Sequence, residues 1–139
     1  MLNQKLADML KGQLDHEEHE TEVYARKVRE TKHSVAKLLY AKLMRDSAQH
    51  ADVIRCALSY LASDKWEALA PIGETQKDIL ELMDMEEKAL RLFTSASSEV
   101  RDPHLKTLLT MLALDEEQHY AMLRYLLESF VQKKEVVEI

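Results

Sequence analysis

The sequence predicts an all-α chain, a four-helix bundle made of two similar helical hairpins joined by a crossover linker. Three observations predict it. Among 139 residues there are only two glycines and two prolines, with 46% hydrophobic and 32% charged residues, so long helices joined by short connections are expected. Apolar residues recur in alternating steps of three and four, the period of a helix packed on one side. The two halves also resemble each other at an offset of 69 residues. A chain of this size can bury a core as one domain, 1–139.

Helix 1 is expected over about residues 4–31, with the seam Leu6, Leu10, Gln13, Glu17, Glu20, Tyr24 and Val28. Helix 2, over 35–62, starts behind Ser34 as N-cap and carries Leu39, Leu43, Ser47, His50, Ile54, Leu58 and Leu61. The breaker cluster "SDKWEALAPIG", residues 63–73, then divides the chain, and Trp66 and Leu69 within it are expected to pack onto the bundle. Helix 3, over 74–99, carries Ile79, Met83, Glu86, Leu90 and Phe93. Asp102 as N-cap and Pro103 at the first helical position open helix 4, 103–132, with Leu105, Leu109, Leu112, Glu116, His119, Leu123, Leu126 and Phe130. Met9, Met44, Met83, Met85, Met111 and Met122 read as bundle filler.

All four seams are apolar at both ends and polar in the middle. The repeat concentrates on that middle: Asp15, Glu17 and Glu18 fall on Asp84, Glu86 and Glu87, and Tyr24 on Phe93. Asp46, Gln49, His50 and Arg55 fall on Asp115, Gln118, His119 and Arg124. Two such hairpins facing each other would share a pseudo-twofold axis through a polar centre.

Burying several carboxylates together adds mutual repulsion to the cost of desolvation. Glu17, Glu20, Glu86 and Glu116 bring four negative charges, and His50 and His119 could neutralise only half of them. Two divalent cations would balance the set and leave both imidazoles neutral as ligands. Glu116 and His119, three apart, lie on one helical face. A Glu from each of two helices and a Glu-x-x-His from each of the other two build a dinuclear carboxylate site. Such donors suit iron or manganese, and zinc also binds them. A lone Glu-x-x-His usually faces solvent, so the weight falls on coincidence: Glu17 to Ser47 and Glu86 to Glu116 both span 30 residues. The alternative is a different phase for helix 1 or 3, with their glutamates in solvent.

The stretches "DHEEHETEVY", "RDSAQHADVI", "DMEEKALRLF" and "LDEEQHYAML" resemble the ferritin-like superfamily, and within it the rubrerythrin-like diiron proteins. The resemblance spans about residues 5–132. It implies Glu17 and Glu86 as single-helix ligands, Glu116 and His119 from helix 4, and His50 from helix 2. Asp46 and Asp115 are placed like aspartates that hold ligand imidazoles in related sites, or are ordinary polar helix residues. Tyr24 and Phe93 read as core packing, and Tyr24 could also hydrogen-bond a ligand carboxylate. Ser47 departs from the pattern, which wants glutamate there; a serine hydroxyl is a poor ligand for ferrous iron. Glu20, one turn after Glu17, is the expected substitute, and a mononuclear or asymmetric site on Glu86, Glu116 and His119 is the competing possibility. His16 and His19 flank Glu17 and read as exposed, with ligation the other option.

In ferritin-like bundles helices 2 and 3 run parallel, so the linker must travel the bundle's length. Eleven extended residues reach about 36–40 Å, close to the roughly 42 Å of a 28-residue helix. The crossover is feasible within one chain and short enough that exchange of hairpins between two chains is an option, and a homodimer is expected.

The resemblance implies a peroxidase: hydrogen peroxide, or dioxygen, reduced at two iron ions. Full-length rubrerythrins also carry a cysteine-ligated iron domain for electron entry. The lone Cys56 cannot build one, so an external electron donor is expected. Ferrous oxidation with iron handling, and a ferritin-like binding protein with a degraded site, are the alternatives. The net charge of −6 argues against nucleic acid and anionic membranes. With no signal-peptide core and no 18-residue apolar run, a cytoplasmic location is expected.

Overall fold

The structure, a computed structural model, describes residues 2–63 and 75–129. Among them are four helices and no strand: α1 (Leu2–Glu30), α2 (Ser34–Ala62), α3 (Gln76–Glu99) and α4 (Pro103–Ser129). The chain divides into two compact units, Met1–Glu67 and Ala68–Ile139. The first is an α1–α2 hairpin and the second an α3–α4 hairpin. No described helix is long and apolar enough to cross a membrane. The linker with Trp66 and Leu69, and the expected end of helix 4 with Phe130, lie outside the described residues.

The 69-residue repeat is visible in the backbone. Glu30 and Glu99 end α1 and α3, and Ser34 and Pro103 begin α2 and α4, each pair separated by that offset. The turn between helices is capped the same way in both hairpins. Asp102 Oδ1 accepts from the Leu105 amide at 2.8 Å, as the sequence predicts. In the first hairpin the cap is His33, not Ser34: its Nδ1 accepts from the Ala36 amide at 3.1 Å, and Ser34 has already entered the helix. His33 holds an extended backbone, which lets its ring fold back onto the first turn as Asp102 does.

α3 begins at Gln76, two residues later than expected, because Thr75 and Asp78 form a capping box. Thr75 Oγ1 accepts from the Asp78 amide at 3.1 Å, and Asp78 Oδ2 accepts from the Thr75 amide at 3.0 Å. α1 begins two residues earlier than expected, at Leu2.

Each hairpin buries a narrow strip. Ile79 (1% exposed) and Met83 (8%) form the core of the second, with Tyr120, Leu123 and Leu127 packed against them. Ala51 (3%) and Ser47 (5%) are the most buried positions of α2. Four expected seam residues, Leu6, Leu43, Leu105 and Leu112, are instead exposed, as are Met9, Met85 and Met122 among the expected filler methionines. Within its own hairpin each helix has one partner, which covers only part of a roughly 100° apolar stripe.

Candidate metal centre

In the α3–α4 hairpin, the packing of Ile79 and Met83 against Tyr120, Leu123 and Leu127 sets the antiparallel register. One turn past Met83, that register brings Glu86 opposite the Glu116–His119 pair. His119 Nδ1 lies 3.3 Å from Glu86 Oε2 and 3.5 Å from Glu116 Oε2. One ligand atom from each of the three residues lies within 4.8 Å of the others. Among the described residues this is the one His, Cys, Asp or Glu trio that converges so tightly. The glutamates are mostly covered and the imidazole is half exposed.

The α1–α2 hairpin makes the equivalent cross-helix contact. His50 Nδ1 lies 3.4 Å from Glu17 Oε1, at the repeat positions of His119 and Glu86. Gln13 Nε2 donates to the same Glu17 oxygen at 3.2 Å. Glu17 is the most buried charged residue described, 8% exposed, and its Oε2 is buried with no hydrogen-bond partner. Ser47 and Ala51, one turn apart on α2, are small and buried. Ser47 Oγ donates to Glu20 Oε2 at 3.4 Å.

An orphaned, buried carboxylate oxygen costs about 1–3 kcal/mol. A cation bound there removes that cost, since carboxylate lone pairs are what a hard metal ion seeks. Carboxylates with neutral imidazoles suit iron and manganese, so the residues present fit a metal of that kind.

The other expected site residues make contacts or exposures of their own, and among the described residues no contact to a ligand imidazole is seen for Asp46. Asp46 is held by Lys42, one turn earlier on α2, with Nζ–Oδ distances of 3.3 Å. Asp115 is half-buried on α4. The Tyr24 ring stacks on Tyr40 at 6.5 Å between centroids, which is the packing role expected of it. His16 and His19 are exposed.

Two contacts escaped sequence reasoning. Gln13 as partner to Glu17 was legible as an i,i+4 pair on one seam. The cross-helix ion pair from Arg55 Nη2 to Glu18 Oε1, 2.7 Å, had no local signal. The repeat does not reproduce it, because Glu87 pairs with Arg91 in its own helix and Arg124 lies over the Tyr120 ring.

Residues 8–127, most of the chain, match the family described as Rubrerythrin. The chain belongs to the rubrerythrin family. Rubrerythrins are ferritin-like diiron-carboxylate proteins, so the fold class is the ferritin-like four-helix bundle, and membership implies a diiron centre. No rubredoxin domain is evident in these 139 residues. Neither a curated protein nor a solved structure matches the chain.

Proposed function

We propose that this rubrerythrin-family chain is a diiron oxidoreductase that reduces hydrogen peroxide to water with electrons from a separate donor. The convergence of Glu86, Glu116 and His119 carries the proposal. Those three hold one iron; Glu17 and His50, with Glu20, hold the other. When bound, two ferrous ions supply the two electrons that, with two protons, turn one peroxide into two waters. The carboxylates balance the cations' charge, and the histidines bind as neutral imidazoles. His50 and His119 sit with side chains half or more exposed, so a small oxidant reaches the donor groups from solvent. Within these 139 residues Cys56 alone cannot ligate an iron of the rubredoxin type, which is why this reading calls on a separate electron donor.

The test is anaerobic loading with ferrous iron followed by a peroxide titration. One peroxide consumed per two irons, at a rate abolished by Glu116→Ala, supports peroxide reduction. Peroxide consumption no faster than that of free ferrous iron contradicts it. Rapid oxidation by dioxygen with ferric iron accumulating on the protein would instead place the chain in iron handling.

A further inference from the structure

We infer that Ser47 is a positioning residue for a relocated metal ligand: it holds Glu20 in the role that Glu116 plays in the other hairpin. The inference rests on the diiron reading above and concerns how the α1–α2 hairpin completes its share of the donors.

At the 69-residue offset, two positions are exchanged rather than lost. Glu116 on α4 corresponds to Ser47 on α2, and Ala89 on α3 corresponds to Glu20 on α1. Each hairpin therefore keeps two carboxylates and one imidazole. The α3–α4 hairpin draws one carboxylate from each helix, and the α1–α2 hairpin draws both from α1. The exchange is also complementary in size. Each hairpin pairs a long side chain with a small one at these two repeat positions, with the long one on opposite helices.

The geometry supports this. Ser47 Oγ, on a residue only 5% exposed, reaches Glu20 Oε2 at 3.4 Å across the hairpin. Glu20 thus extends its carboxylate to the place on α2 where the pattern calls for one. It sits one turn from Glu17 on the same face of α1, and although Glu17, Glu20 and His50 do not converge as tightly as Glu86, Glu116 and His119, an ion there could draw both carboxylates onto itself. A second observation points to a ligand independently. The Glu17 side chain is 10% exposed, and its Oε2 is buried with no partner. A hydroxyl that binds iron poorly is still a good donor to a carboxylate. Fixing Oε2 of Glu20 restricts the rotamer and leaves its other oxygen for the metal.

Iron stoichiometry after anaerobic ferrous loading and desalting, read by mass spectrometry, tests the inference, with helical content followed by circular dichroism. Wild type is expected to hold two irons per chain and Glu20→Gln one. The double variant Glu20→Ala with Ser47→Glu, which copies the arrangement of Ala89 and Glu116, is expected to return to two. Ser47→Ala is expected to weaken the second iron about tenfold, the order of a hydrogen bond to a charged group. Glu20→Gln keeping two irons at wild-type affinity, or a folded double variant remaining at one, overturns the inference while leaving the diiron reading intact. If the double variant does not fold, the near-isosteric Glu20→Gln decides alone. A wild-type chain that takes up no iron overturns both.

Discussion

At Glu17, one carboxylate oxygen has Gln13 and His50 beside it and the other has nothing. A metal-free protein therefore carries a desolvated, half-satisfied charge in its first hairpin. Glu17→Met removes that charge and fills the space with an apolar chain. It is expected to raise the stability of the metal-free protein by about 1–3 kcal/mol, measured by urea denaturation, while eliminating the iron held there. A loss of stability on this substitution contradicts the view that Glu17 is strained without a cation. The Glu17–His50 contact and the grouping of Glu86, Glu116 and His119 were legible as polar positions in the middle of the seams. Their degree of cover was not. Spacing alone does not say that Glu17 is buried while the side chain of His50, its partner, is 61% exposed, because that depends on the bulk of residues on the facing helix.

The helices were legible as elements from their period, and α4's start from Asp102 and Pro103, whose capping chemistry is local. The start of α3 was equally local and was missed: Thr75-x-x-Asp78 is a capping box with aspartate in place of the usual glutamate. That box has a pH signature. The Thr75 backbone amide, and then its hydroxyl, hydrogen-bond the Asp78 carboxylate and lower its pKa from the ordinary 3.8. A carboxyl depressed in the folded state contributes stability above its unfolded value, and loses it as pH falls through the lower folded value. Nuclear magnetic resonance titration should place the Asp78 midpoint below 3.8, with Thr75→Ala moving it back upward. A midpoint at or above that value contradicts the box. The seams were legible only in part. Leu6, Leu43, Leu105 and Leu112 fit the period and yet stand exposed.

Among the described residues, the two similar hairpins carry the same kind of helix cap at the turn and the same cross-helix Glu–His contact. The repeat was legible in sequence because it is densest where the chemistry is. Ser47 departs from the repeat there, and Glu20, the substitute expected from the sequence, lies within hydrogen-bond reach of it. The central claim is that these two donor sets hold two irons. Metal content per chain, by mass spectrometry on protein purified from its own host, tests it most directly. Two iron atoms per chain is the expected result; zinc, or no metal at all, would contradict it.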